Sequence, residues 1–380
     1  MANTLTGLVP DLYEALDVVS RELTGFIPAV SRDSNVERAA VDEDVLVPVT
    51  GAESSADNTA GVNAPDTGDN TVDTVAVTIS KSKHVPVRFT GEETKGLRNG
   101  GTFSTIMADR MYQGMRTLVN EIETDLWTEA YKNSSRAAGT AGTTPFGTAN
   151  DLTDFSDTLR ILEENGAPTS DLQMVLGHAA MGNLRGKQSG LFKVNEAGRE
   201  DMLRNGMTDR VMNFALRHSN APTVHTKGTG SGKLLNGGEA VGSESLTTDT
   251  GSGTVLAGDV ITLAGDSNNY VVDSALASNE IGIGGPGLLV AGSDNTALTV
   301  GNSYTPNIAF SRSAIALATR APAMPEGGDM AADVTTIVDD ISGLAFEVAL
   351  YKQFLQNVIH IRLAWGYKAI AQRHIATLMG

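Results

Sequence analysis

"FSTIMADRMYQGMRTLVNEIETDLWTEAYK", Phe103 to Lys132, is the stretch on which the reading of this chain turns. Phe103, Met107, Met111, Met115, Leu118, Ile122 and Leu126 step by four, four, four, three, four and four, which places them on one face of an α-helix. At ~1.5 Å per residue such a helix is about 45 Å long, more than a small domain needs to cover its core. It reads as a beam. Its methionine-rich stripe is adaptable packing surface and has no chemistry of its own.

Upstream, "HVPVRFT" alternates Val85, Val87 and Phe89 as a strand does. Before it, "EDVLVPVTG" and "DTVAVTIS" repeat the same period with Val45, Val47 and Val49 and with Val75, Val77 and Ile79, and they read as partner strands. The linking "GAESSADNTAGVNAPDTGDNT" holds too little apolar surface to fold alone, so a long loop projects from this hairpin. From Ala39 through Ser80 there are eight acidic residues and no basic one. Such a run is ordinarily a solvated face, but a long acidic finger can also reach for basic groups on a neighbour. Its contact candidates are Glu53, Asp57, Asp66, Asp69 and Asp73.

At the N-terminal end Leu12, Leu16, Val19 and Leu23 recur beside Asp11, Glu14, Asp17 and Glu22, predicting an amphipathic helix that Gly25 and Pro28 end. This stretch has no Lys or Arg before Arg21 and no unbroken apolar run, and nowhere does the chain approach the ~18 apolar residues of a membrane span. The expectation is a soluble cytoplasmic product.

Downstream, Asp151 is placed to cap a helix carrying Leu152, Phe155, Leu159 and Leu162, closed by Asn165, Gly166 and Pro168. "LQMVLG" reads as a buried strand, "HAAMGNLRG" as a short helix and "VMNFALR" as a further strand. From Gly228 to Ser303 Gly and Asp rise, Lys233 is the only basic residue, and short apolar runs sit between turn signals, predicting a small all-β insertion. The chain resumes with "IAFSRSAIALATRA" and ends in a hairpin in which Ile359, Ile361, Leu363 and Trp365 share one face and His360 and Arg362 the other.

The totals narrow the function. A chain of 380 residues holds two or three cores. A net charge of -17 argues against a dedicated nucleic-acid binder, and the absence of cysteine removes disulfides and thiolate metal sites. "GTGSGKLL" is not a phosphate-binding loop, because Lys227 stands where the first Gly belongs, Leu234 replaces Ser or Thr, and no helix start follows. It reads as a Gly-rich hinge into the insertion. "GIGGPG" from Gly282 is a turn between strands. The six histidines lack the helical pairing of a zinc hydrolase, although His218 and His225 could meet across a bend. The pairs Glu163-Glu164 and Asp339-Asp340 diverge in any regular structure and read as solubilising. No catalytic, cofactor or metal site is predicted, and the chain is not read as an enzyme.

The order of N-terminal arm, acidic hairpin, strand, beam helix, α/β region, β insertion and returning hairpin resembles the major capsid protein of tailed double-stranded DNA bacteriophages, the Hong Kong 97 type of fold. "NTLTGLVPDLYEALDVVSRELTGFIPAVSRD", "FALRHSNAPTVHTKGT", "NIAFSRSAIALATRAP", "GLAFEVALYKQ" and "LAWGYKAI" look most like the phage P-twenty-two coat branch. The resemblance implies an α+β fold with an N-terminal arm over residues 1–38, an extended loop over 39–80 and a peripheral domain over 81–150 with its spine helix over 103–132. It further implies an axial domain beginning with 151–227, an inserted β domain over 228–303, and a return through the axial and peripheral domains over 304–380.

In function the resemblance implies a coat protein forming pentamers and hexamers of itself in a noncovalent icosahedral shell. That shell assembles in the host cytoplasm with a scaffolding protein and a portal, encloses double-stranded DNA without reading its sequence, and offers a decoration protein a surface. No membrane is involved. Two alternatives stand beside it. Acidity and Gly, Thr and Asn richness also suit a secreted surface-layer or adhesin-type protein, and Gly228 to Lys233 would have to carry any nucleotide-dependent enzyme.

Overall fold

The computed structural model describes residues 24–50, 55, 57–58, 60, 73–101, 103–188, 210–339 and 342–380. The helix expected around Leu12 to Leu23 lies outside them. The fold is α+β. Among the described residues the strands form a six-stranded sheet, a twelve-stranded sheet and a two-stranded ribbon.

Among the described residues there are four α-helices: α1 (Gly91–Asn99), α2 (Phe103–Lys132), α3 (Thr153–Glu164) and α4 (His178–Lys187). The beam is α2, and its apolar face joins the two large sheets. Met115, Leu118, Ile122 and Leu126 pack in one core with Leu317, Phe346, Ile361, Leu363 and Trp365 of the six-stranded sheet and with Val175, Ile308 and Phe310 of the twelve-stranded one. A helix buried against two sheets needs an apolar stripe along its whole length, which is why seven periodic positions recur without a break.

The six-stranded sheet runs Ser31–Ala39, Ile315–Pro322, Gln356–Ala369, Ala345–Gln353 and Asp333–Val338, and Lys81–Thr90 pairs with the other side of Gln356–Ala369. Ser31–Ala39 is a parallel edge strand that the sequence does not announce: "SRDSNVERA" has no apolar alternation because both its faces are largely exposed. Helix α1 was likewise not expected. Its signal is a capping box in which the Thr90 hydroxyl accepts the Glu93 N–H and the Glu93 carboxylate accepts the Thr90 N–H, at 3.2 and 2.8 Å.

Three local expectations are corrected. Asp151 is not the cap of α3; it stands one residue before the cap and accepts the N–H of Thr153, the first helical residue, at 2.9 Å, while Leu152 takes the cap position. "VMNFALR" is not one strand but a tight hairpin of Arg210–Val211 and Phe214–His218, because Met212 and Asn213 both adopt positive φ. Asp339 is not solubilising: it is buried and accepts the Ser342 N–H at 2.9 Å, shaping the turn before Ala345–Gln353.

The stretch from Gly228 to Ser303 is built of strands around a core of its own, including Leu235, Ile261, Tyr270, Ile281 and Leu298. Its entry is not a loose hinge. The Gly228 N–H donates to both oxygens of buried Asp259 at 3.1 and 3.0 Å, and His225 Nε2 lies 2.9 Å from the same carboxylate. Gly258 lies so close to α2 that a Cβ would sit 2.3 Å from the Tyr131 ring, and one on Gly284 would meet the Ser134 carbonyl at 2.2 Å. Tyr270–Ala277 continues the twelve-stranded sheet by pairing Tyr270 with Arg136. This stretch is fastened to the end of the beam, where Gly258 makes room for the Tyr131 ring and Gly284 for the Ser134 backbone.

Candidate intersubunit surface

The acidic hairpin is the ribbon of Asp44–Val49 and Asp73–Thr78, with Asp44 opposite Thr78 and Val49 opposite Asp73. Val45, Val47 and Val77 point one way, Leu46 and Ala76 the other. The first set rests on a patch of small side chains, Ala316, Ala318 and Ala364, on the face of the six-stranded sheet away from α2. Gly366 completes the seat: a Cβ there would lie 2.2 Å from the Thr78 carbonyl oxygen and 3.0 Å from the Ile79 Cα. The Ser80 N–H donates to the Trp365 carbonyl at 3.1 Å and fixes the base further. Among the described residues no layer covers the outer face of the ribbon beyond its base, and Leu46 is exposed. A lone two-stranded ribbon is marginal in water, so this one depends on its seat and on whatever covers it.

Beside the seat the same sheet face carries ionic side chains. Glu347, almost wholly buried, receives Arg38 and Arg362, and Arg362 Nη1 also donates to Asp329 at 2.9 Å and to the Tyr351 hydroxyl at 2.9 Å. Bonds from the Tyr351 hydroxyl and from Arg362 hold the Asp329 carboxyl down at about 2. These pairs tie Ser31–Ala39, Ala345–Gln353 and Gln356–Ala369 together.

Opposite, on the α2 side, the segment entering the sheet is held by one carboxylate. Glu123 Oε2 accepts the Phe26 N–H at 3.0 Å and the Ser219 hydroxyl at 2.9 Å, and Oε1 accepts the Ile27 N–H at 2.9 Å. Burial pushes the Glu123 pKa up, and these hydrogen bonds only partly offset it.

The turn between the last two strands of the six-stranded sheet is Phe354-Leu355, exposed to 89% and 74%. Leu355 holds φ at 54°, and its carbonyl accepts the Gly91 N–H at 3.0 Å. An aromatic and an aliphatic side chain held out on a tight turn form a natural contact point. The sequence reading missed it. The available signal was "KQFLQN", an apolar pair between glutamines where two alternating runs meet.

Of the predicted contact residues, Asp57 and Asp73 are described and exposed, Asp73 at the outer end of its strand; Glu53, Asp66 and Asp69 lie outside the described residues. His218 does not meet His225. It lies beside His178, Nε2 to Nδ1 at 2.7 Å, and burial followed by the charge of His178 holds it down at about 4. His225 meets Asp259 instead. Among the described residues no group of three or more His, Asp or Glu side chains is placed to hold a metal ion, and no helix is long and apolar enough to cross a membrane.

No protein-family profile matches the sequence, and no curated protein does. Solved structures are similar along nearly the whole chain. A structure from Mycobacterium phage Che8 is 12% identical, with 99% of this chain and 98% of that one covered and a TM-score of 0.50. The capsid of the cyanophage P-SCSP1u is 10% identical over 100% and 95% of the two chains with a TM-score of 0.49, and the capsid of Ralstonia phage GP4 11% identical over 100% and 98% with 0.47. The likeness to the Che8 structure shows a shared fold.

Proposed function

We propose that this chain is a major capsid protein of a tailed double-stranded DNA bacteriophage, and that copies of it build the icosahedral shell through noncovalent contacts. The observation that carries the reading is the acidic ribbon, which among the described residues is seated at its base alone and leaves an outer face that a neighbouring copy is suited to bury. The end-to-end fold likeness to a phage structure supports it, as do the sequence phrases shared in kind with phage coat proteins. Repeated heterologous contacts of this sort close into shells when curvature permits. Pentamers, hexamers, a scaffolding protein, a portal, an enclosed genome and host-cytoplasm assembly come with that reading, as does the division into arm, extended loop, peripheral, axial and inserted domains. Glu53, Asp57, Asp66, Asp69 and Asp73 are its candidate finger contacts, and the role is structural, not catalytic.

Electron microscopy of the purified chain, expressed with and without its scaffolding protein, tests this directly. Shells or capsomer lattices are expected; monomers under every assembly condition overturn it.

A second test separates folding from assembly. Leu355→Gly relieves a positive-φ leucine and is expected to stabilise the isolated subunit by about 1 kcal/mol. It also removes an exposed aliphatic side chain from the turn, so shell yield should fall. Urea unfolding and particle counts on one preparation read both effects, and unchanged yield discards the turn as a contact.

A further inference from the structure

We infer that Asp333–Val338, an outermost strand of the six-stranded sheet, pairs edge to edge with the same strand of a second copy of this chain, antiparallel and centred on Thr336. One edge of the strand is taken by Ala345–Gln353, and among the described residues no strand lies on the other. Asp339 continues the register by one step, its N–H donating to the Leu344 carbonyl at 2.9 Å. Hydrogen-bonded positions alternate along an antiparallel ladder, so Asp333, Thr335 and Ile337 turn their backbone groups toward Ala345–Gln353. Val334, Thr336 and Val338 turn theirs to the free edge. The other free edges of this sheet are blunted. Ser31–Ala39 carries Arg32, Asp33, Glu37 and Arg38 and a register break between Ser34 and Arg38, and Lys81–Thr90 carries Lys83, His84, Arg88 and Pro86. "DVTTIV" has one charge, at its start, then five β-branched residues in unbroken register.

The side chains select the partner and the register. Ile337 packs against the core around α2, so its neighbours Thr336 and Val338, and with them Val334, share the opposite face of the sheet. Read in either direction, that face is Val, Thr, Val. A two-fold axis through Thr336, normal to the sheet, lays Thr336 beside its own copy and sets Val334 beside Val338 of the second copy at both ends. Val334 and Val338 are 40% and 59% exposed, and the pairing covers both. Like β-branched and Thr–Thr pairs are favourable cross-strand neighbours. The same three residues carry the outward backbone groups, so hydrogen bonds and side chains agree on one register. Parallel pairing in register would stack the two Asp333 carboxylates on strands about 4.8 Å apart, whereas the antiparallel pair separates them by about 20 Å. The axis keeps the ribbon face of both copies on one side, as a one-layer shell requires. Linking copies within a shell rests on the function proposed above; the pairing itself needs only two copies.

Six residues a side are a small interface, so the pairing is read best by trapping it. The chain has no cysteine, which makes single thiols unambiguous reporters. T336C, V334C and V338C, each in the full chain and checked for folding by thermal unfolding, are oxidised with diamide as subunits and as any particles they form, then run without reductant. In the inferred register the two Thr336 Cα atoms are about 5.5 Å apart, within disulfide reach, and the two copies of Val334 about 14 Å apart. T336C should give covalent dimer about tenfold faster or more than V334C or V338C alone, and an equal mixture of V334C and V338C should regain the fast rate. The inference is overturned if T336C cross-links no faster than V334C. It is equally overturned if the T336C thiol of dispersed subunits resists a maleimide dye, which would mean that another segment of the same chain covers the edge. Electron micrographs of the same samples keep the two readings apart: shells without T336C dimers sink the pairing alone, while T336C dimers from a chain that never forms shells sink the shell and leave the pairing.

Discussion

Gly366→Val is expected to yield a folded subunit that makes no shells. The added Cβ would stand 2.2 Å from a carbonyl oxygen and 2.7 Å from the carbonyl carbon of Thr78, both backbone, so no side chain can rotate out of the way. Gln356–Ala369 cannot retreat either, since it is hydrogen-bonded along both edges, to Lys81–Thr90 on one side and to Ile315–Pro322 and Ala345–Gln353 on the other. The ribbon must lift, which breaks the Ser80 bond to Trp365 and uncovers Val77 and Ile79, both fully buried. Overpacking of this kind costs about 1–3 kcal/mol, and the larger consequence is that the finger leaves the sheet at a different angle. Gly96→Ala is the control: it sits in α1 with nothing within 4 Å of its Cβ position, and it should raise stability by about 0.5–1 kcal/mol and leave assembly unchanged. Shells of Gly366→Val at wild-type yield would refute the seat as the element that aims the finger.

Glu123→Ala is expected to cost the subunit about 3–5 kcal/mol, since it orphans the buried N–H groups of Phe26 and Ile27 and the Ser219 hydroxyl together. Phe26, Ile27, Ala29 and Val30 are buried against α2, so their release opens the core from the N-terminal side. The cost also has a pH signature. A carboxyl whose pKa is raised on folding binds its proton more tightly in the native state, and its contribution is fully present below the ordinary value of 4.5 and lost as pH rises through the native one. The stability gap between wild type and variant should therefore be widest below about pH 4.5 and narrow as pH rises. Urea unfolding from acid to neutral pH and amide exchange at Phe26 and Ile27 check both statements. A loss under about 1 kcal/mol with both amides still protected would mean that apolar packing alone holds the segment.

Periodicity over Phe103 to Lys132 and alternation in the two ribbon strands were fully legible in the sequence, because each depends only on residues near one another along the chain. Amphipathic period sets helix or strand whatever lies across from it. Tertiary structure alone decided the rest. Glu123 looks like one more acid on a solvated helix until Phe26 and Ser219 arrive from 97 and 96 residues away, and Gly366 looks like an ordinary strand glycine until Thr78 is laid across it. Gly228 reads as slack until Asp259 takes up its N–H. Burial and close backbone approach are properties of pairs brought together by the fold, and a linear string of residues holds only one member of each pair at a time.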